Sequence, residues 1–233
     1  MVRVEDAVVL VTGGRRGLGA ALVDELLRRG ARKVYATARQ AYPDARPAVV
    51  THALEVRSEE SVAALAAMAA DVQIAINNAG VLLGGALLSG DIDDVITTFD
   101  VNALGPLRVA RAFAPILAGN GGGAVVNVHS VLSWLGGAGA YGASKAAIWS
   151  ITNSLRAELA GQNTQVVGVH AGFIDTDMVA GLAVPKTTPA DIATRIVDGL
   201  ESGAIEVLAD DATVQAKAAL SGPVENLTFA LSH

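Results

Sequence analysis

A doubly wound α/β fold, with about seven parallel strands buried between two layers of helices, is predicted by three observations on this 233-residue sequence. Short apolar, often β-branched runs alternate with segments of helical periodicity along the chain. The composition is 52% hydrophobic and 17% charged with a mean hydropathy of +0.43, which suits strands covered on both faces. A glycine-rich turn, Thr12-Gly13-Gly14-Arg15-Arg16-Gly17-Leu18-Gly19, follows the first apolar run directly.

Taken in order, the run Val8-Val9-Leu10-Val11 gives a first strand at 7–11, and the periodicity after the glycine turn gives a helix at 20–29. Strands follow at 33–36 and 48–54, a helix at 59–70, and a fourth strand at 72–76. A long helix is expected at 92–117, stopped by Gly119-Asn120-Gly121-Gly122-Gly123 before a strand at 124–128. The remaining elements are a helix at 140–159, a strand at 165–169, a helix at 189–201 and a short strand at 205–208. Strand and helix alternate without a repeat or linker, so residues 1–233 are expected to form one domain whose parallel strands are joined by right-handed crossovers.

Composition excludes several functions. A net charge of −6 and a pI near 5.2 argue against nucleic-acid or anionic-membrane partners. With no cysteine there is no disulfide framework, thiolate metal site or thiol nucleophile, and no His/Asp/Glu cluster has metal-ligand spacing, so no metal is expected. The apolar run at 62–70 is well short of the ~20 residues of a membrane helix. Glu5 and Asp6 stand where an export signal would continue apolar, so a soluble, cytoplasmic protein is expected.

Two local patterns carry chemistry. In a doubly wound fold, a glycine-rich turn between first strand and first helix lets backbone N–H groups approach a dinucleotide pyrophosphate, with Gly13, Gly17 and Gly19 giving close approach. The turn lacks the Lys-Ser/Thr ending of a P-loop, which disfavours triphosphate hydrolysis. No carboxylate occurs between Glu25 and Asp44 to bind a ribose 2′-hydroxyl, whereas Arg39 follows the second strand and Arg15 and Arg16 lie in the turn. Up to three guanidinium groups could thus meet a 2′-phosphate, favouring NADP(H) over NAD(H). The second pattern is Tyr141-Gly142-Ala143-Ser144-Lys145, which on a helix places a phenol and an ammonium on one face. A nearby cation is expected to lower the tyrosine's pKa and make it an acid/base group.

In these pieces, in their order along nearly the whole chain, the sequence resembles the short-chain dehydrogenase/reductase family. Thr12-Gly13-x-x-x-Gly17-x-Gly19 resembles its cofactor turn, Asn77-Asn78-Ala79-Gly80 its motif after the fourth strand, Asn102 its helix asparagine, and Ser130 with Tyr141 and Lys145 its active site. The resemblance implies a Rossmann fold assembled as a homodimer or homotetramer through the two long helices. It makes Tyr141 the general acid in reduction and the base in oxidation, Lys145 its partner and a ligand of the nicotinamide ribose, Ser130 the donor to the substrate oxygen, and Asn102 a relay to Lys145 through water. The cofactor-binding set it implies is Gly13, Arg15, Arg16, Gly17, Leu18, Gly19, Arg39, Asn78, Ala79, Gly80, Tyr141, Lys145, Ile174 and Thr176. Read on its own, Asn102 could equally cap or kink its helix.

The sequence departs from the family pattern at three places. The interval from Ser130 to Tyr141 is shorter than usual and rich in glycine at Gly136, Gly137 and Gly139, leaving Ser133 as a second serine candidate. Ala171-Gly172 replaces the usual Pro-Gly, and Glu55 stands where aspartate is commoner near the adenine. His129 and His170 are expected to be structural. Leu82, Leu132, Trp134, Phe173, Met178 and Val179 are candidate pocket residues, consistent with a hydrophobic ketone, aldehyde or secondary alcohol. Two other readings remain: a non-catalytic dinucleotide sensor of the same fold, whose Ser/Tyr/Lys set would normally be broken, and a methyltransferase, which would have no use for Tyr141 and Lys145.

Overall fold

In the computed structural model, which describes residues 2–83 and 86–228, seven strands form one parallel sheet in the order β3-β2-β1-β4-β5-β6-β7. The strands are β1 (Val8–Val11), β2 (Lys33–Ala38), β3 (Val49–Ala53), β4 (Ile74–Asn77), β5 (Gly123–Val128), β6 (Thr164–His170) and β7 (Glu206–Leu208). The helices are α1 (Gly17–Arg28), α2 (Glu59–Met68), α3 (Ile92–Phe99), α4 (Gly105–Gly119), α5 (Gly139–Glu158), α6 (Pro189–Glu201) and α7 (Asp211–Ala219). The expected α/β class and the seven strands are observed. Alternation along β1 divides the core: Val9 and Val11 pack with Leu22, Leu26, Ile192 and Ile196 beneath α1 and α6, while Val8 and Leu10 pack with Leu65, Phe113 and Leu117 beneath α2 and α4. Among the described residues no helix is long and apolar enough to cross a membrane.

Two elements differ from expectation. The helix expected at 92–117 is broken by a π-helical stretch at Asp100–Leu104, and an additional helix, α7, follows the last strand. Hydrophobic spacing does not expose either feature, because a single wide turn preserves the local apolar density and α7 is mostly alanine and polar residues. What starts α7 is a reciprocal cap: Thr213 N donates to Asp210 Oδ1 at 2.9 Å, and Asp210 N to Thr213 Oγ1 at 3.3 Å.

Strand order reverses between β1 and β4, which both pair directly with each other and lead to opposite sides of the sheet. The crevice above that point, at the carboxyl edge, is where an open α/β sheet receives ligands. Helix α1 approaches it closely because Gly19 has no side chain: a Cβ there would lie 2.0 Å from the Gly13 carbonyl oxygen. Gly19→Ala should therefore force α1 off the turn, lowering unfolding stability by ~1–3 kcal/mol and weakening dinucleotide affinity together. Urea unfolding and a fluorescence titration with NADPH check both effects; unchanged values would mean the turn has slack that the contact distance denies.

Candidate active site

At the end of β1, Thr12 fastens the turn. Its Oγ1 accepts from Asn78 N and from Ala79 N, each at 3.0 Å, while Asn78 Nδ2 donates to the carbonyls of Thr12 at 3.0 Å and Gly13 at 3.3 Å. Gly14 N reaches the Thr37 carbonyl on β2 at 2.8 Å, and a Cβ at Gly14 would lie 2.9 Å from the Ala36 Cβ. Gly13 and Gly17 hold φ of +69° and +56°, values that L side chains rarely adopt. The N-cap of α1, Arg16, makes no side-chain cap bond, and the first turn carries no acid. The turn thus combines positive-φ glycines, close backbone approach and an uncapped, electropositive helix start, a combination that fits a dinucleotide pyrophosphate.

Around this turn the expected residues divide. Gly17 faces Thr176, whose Cγ2 would lie 3.1 Å from a Cβ on that glycine, so the loop after β6 reaches the turn as expected. Ile174 is held by an isolated bridge to Thr187. The Leu18 side chain is buried in the core, leaving only its backbone to face a ligand, and the Asn78 amide is committed to the turn itself. Of the three arginines, Arg39 is exposed, Arg15 lies 5.5 Å above the Tyr42 ring, and Arg16 Nη1 pairs with Asp177 Oδ2 at 3.1 Å. Three free guanidinium groups are therefore not presented; Arg16 has a carboxylate to exchange first. Glu55 accepts from the Arg57 backbone and guanidinium at 3.1 to 3.2 Å, which holds its carboxyl below the usual range.

Beyond β5 the chain stops being a strand at Ser130, in extended backbone with φ of −160°, and enters one 3-10 turn. Ser130 Oγ accepts from Leu132 N at 3.1 Å, and Ser130 N donates to Ser133 Oγ at 3.3 Å. Ser133, the second serine candidate, is thereby a buried brace for the first. Helix α5 carries Tyr141 and Lys145 on one face, with the Lys145 Nζ 5.7 Å from the Tyr141 ring centroid. The ammonium donates to the Val128 carbonyl at 2.9 Å and lies beside Gly80, where a Cβ would sit 3.8 Å from Nζ.

Asn102 sits within the π-helical stretch and is buried. Its Oδ1 accepts from Val81 N and its Nδ2 donates to Val81 O, both at 2.9 Å, and Nδ2 also donates to Ser144 Oγ at 3.1 Å. Ser144 in turn donates to the Tyr141 carbonyl at 2.7 Å. The asparagine thus pins the segment after β4 to α5, and its Oδ1 borders the same Gly80 edge as the lysine.

Electrostatics correct one expectation. Burial pushes the Tyr141 phenol up to about 12, with hydrogen bonding from Ser130 opposing it, and burial pushes Lys145 down to about 8. Desolvation penalises whichever form carries charge, so in this pocket it outweighs the help an ammonium 5.7 Å from the ring gives a phenolate. The pair is set up as phenol and weakly held ammonium, not as a standing phenolate.

Several pocket expectations also change. Trp134 is buried, stacked on His170 at 3.9 Å between ring centroids, and Leu132 packs on the same cluster with Val131 and Ala216. Leu82 and Met178 are exposed, and Val179 is partly covered. Both histidines lie buried, as structural residues do. A pocket of about 640 Å³ opens at the opposite, amino edge of the sheet between Val2–Ala7 and the Gly121–Gly123 turn, away from every group described above. Sequence reasoning missed Asp210, whose Oδ2 accepts from Gly172 N at 2.6 Å and stiffens the turn lacking the usual proline. It also missed the C-terminal clasp, in which Gly136 N donates to the Leu227 carbonyl at 2.7 Å. Neither bond leaves a sequence signal, since both join segments distant along the chain.

Comparison with known proteins agrees with this geometry. The chain is 30% identical over 220 residues to an uncharacterised oxidoreductase of Staphylococcus saprophyticus, covering 86% of this chain and 94% of that protein. It superposes on a short chain dehydrogenase from Burkholderia cenocepacia solved in complex with NADP, with a TM-score of 0.92, 37% identity and 97% of each chain covered. A short chain dehydrogenase/reductase from Burkholderia phymatum in complex with NAD shares the fold, with a TM-score of 0.88 at 23% identity and 100% of each chain covered. The profile of the short chain dehydrogenase family matches residues 7–186, more than half of the sequence, and the protein belongs to that family of dinucleotide-binding oxidoreductases.

Proposed function

We propose that the protein is an NADP(H)-preferring carbonyl reductase or alcohol dehydrogenase, with Tyr141 as proton donor and acceptor. The observation that carries this reading is the convergence of Ser130, Tyr141 and Lys145 at the carboxyl edge of the sheet, beside the glycine turn. When bound, the reduced nicotinamide supplies the hydride. Ser130 Oγ already accepts from Leu132 N, so its own hydrogen is left for Tyr141 or for a substrate oxygen. Tyr141, protonated at neutral pH, gives its proton to the oxygen that Ser130 holds, and the Lys145 ammonium, fixed by the Val128 carbonyl, compensates the charge left on the phenol.

Cofactor preference rests on the exposed Arg39 and Arg15 beside β2 and the absence of a competing carboxylate before Asp44. The complex of the Burkholderia cenocepacia relative with NADP supports it. The apolar Leu82, Met178 and Val179, on the segments that follow β4 and β6, favour an apolar ketone or aldehyde. Exposed Ile92, Ile96 and Leu104 on α3 and the π-helical turn support a homodimer or homotetramer built on the long helices.

A carbonyl panel followed at the nicotinamide absorbance should show faster turnover with NADPH than with NADH. Tyr141→Phe should keep NADPH affinity and lose about two to four orders of magnitude in turnover, while Arg39→Asp should erode the NADPH preference. Retained turnover in the first variant or retained preference in the second overturns the corresponding half of the reading. Phenolate absorbance of the unliganded protein, compared with Tyr141→Phe, should show that ring ionising near pH 12. Between pH 10 and 12 the folded chain keeps a proton that the unfolded chain has lost, so Tyr141 contributes a fall in stability with rising pH across that window. Lys145 acts oppositely between about 8 and 10.5, where the folded chain has already lost its proton and stability rises with pH. Light scattering should give a mass at least twice the 23.6 kDa of one chain; a monomer would refute the assembly.

A further inference from the structure

We infer that His170 is a positioning residue for Ser130: its Nδ1–H fixes the Ser130 peptide carbonyl, and a one-way chain of buried donors running from β4 sets its tautomer. This rests on the reading of Ser130 given above. His170 closes β6 and is fully buried; its Nδ1 is 3.1 Å from the Ser130 carbonyl oxygen, which can only accept. The hydrogen must therefore be on Nδ1. In a neutral ring Nε2 is then bare, and His129 Nδ1, 3.2 Å away, must donate to it. His129 Nε2 is bare in turn and faces Thr152 Oγ1 at 2.8 Å. Thr152 accepts from Asn127 Nδ2 at 2.9 Å, and Asn127 Oδ1 accepts from Asn77 Nδ2 at 2.8 Å.

Every donor in this row points toward Ser130, the arrangement in which successive hydrogen bonds polarise one another. Thr152 Oγ1 also lies 2.7 Å from the Ile148 carbonyl, and one hydroxyl hydrogen cannot serve both. Were it given to Ile148, His129 would have to donate from Nε2, leaving two bare nitrogens face to face unless His170 took a second proton. Burial opposes that imidazolium: it holds His170 at about 4 and His129 well below its ordinary value, with the His170 ring adding to the effect at His129 and Lys145 adding to it at both. Lys217 also opposes charge on His170; the hydrogen bond to the Ser130 carbonyl and Glu206, 3.9 Å from Nε2, favour it but are outweighed by burial.

The surroundings are built for this row. Asn77 and Asn127 are registered partners on β4 and β5. Gly168 on β6 leaves room for the His129 ring, since a Cβ there would lie 2.7 Å from Cε1. Trp134 stacks on His170 at an interplanar angle of 20° and blocks its rotation. Ser130 is thereby tied at its N, its Oγ and its carbonyl, with Val131 N bound to the Ala171 carbonyl at 2.8 Å as a fourth restraint.

The test uses the full-length protein. Imidazole ¹⁵N spectra should show Nδ1 of both rings protonated and both Nε2 bare, with a coupling across the hydrogen bond from His170 Nδ1 to the Ser130 carbonyl; an Nε2–H tautomer at His170 overturns the proposal without reference to activity. His170→Phe keeps a ring on Trp134 but removes the donor, and should lower kcat for carbonyl reduction about tenfold to a hundredfold with the KM for NADPH unchanged. His170→Asn returns an N–H near the Nδ1 position and should recover most of that loss. Equal impairment of a folded Phe and a folded Asn variant would reduce His170 to packing, and a Phe variant with wild-type kcat would remove its role. Ser130→Ala separates the two levels: retained turnover in that variant would sink Ser130 as a substrate-holding group and its positioning by His170 with it, while the tautomer spectra still report the bond.

Discussion

Thr12 is the constraint on which the site depends. Reversal of strand order between β1 and β4 opens a crevice, and one hydroxyl bridges it by accepting from the backbone of both Asn78 and Ala79. The Asn78 amide answers by binding the carbonyls of Thr12 and Gly13, so the turn after β1 and the segment after β4 form one rigid lip. A dinucleotide that meets one wall of the crevice therefore meets both in fixed relation, as the alignment needed for a redox transfer requires. Asn102 repeats the device one layer out, binding both polar groups of Val81 and reaching α5 through Ser144.

Within this frame the Tyr141–Lys145 pair is defined by dehydration more than by mutual charge. Tyr141 and Lys145 are both driven toward their neutral forms, so the resting phenol keeps its proton and the lysine loses one more easily than usual. Ser130 is held at its N–H, its Oγ and its carbonyl, and its hydroxyl hydrogen is directed to Tyr141.

The α/β class, the seven strands and the order of the motifs were legible because burial on two faces writes itself into runs such as Val8–Val11, and because glycines at positive φ have few substitutes. The same local grammar could not show that Arg16 would turn to Asp177, that Leu18 would point into the core or that Trp134 would stack on His170, since each outcome depends on a residue far along the chain. Tyr141 and Lys145 stood out through their spacing together with the glycine turn and the other motifs, yet the direction of the tyrosine's shift was not legible, because burial is a property of the assembled pocket. Asn102 combined two expectations: it stands at an irregularity in its helix and also beside the lysine's edge of the pocket.

The π-helical stretch at Asp100–Leu104 has a geometric effect of its own. One surplus residue in a turn retards the following helix by roughly 100° in angular phase. The apolar stripe begun by Ile92 and Ile96 consequently faces outward, while that of Val109, Phe113 and Leu117 is delivered under the sheet. A single irregular turn thus lets one continuous rod serve two masters, presenting oily surface to the exterior along its first part and to the interior along its second, and it sets the asparagine at the hinge of that change of phase.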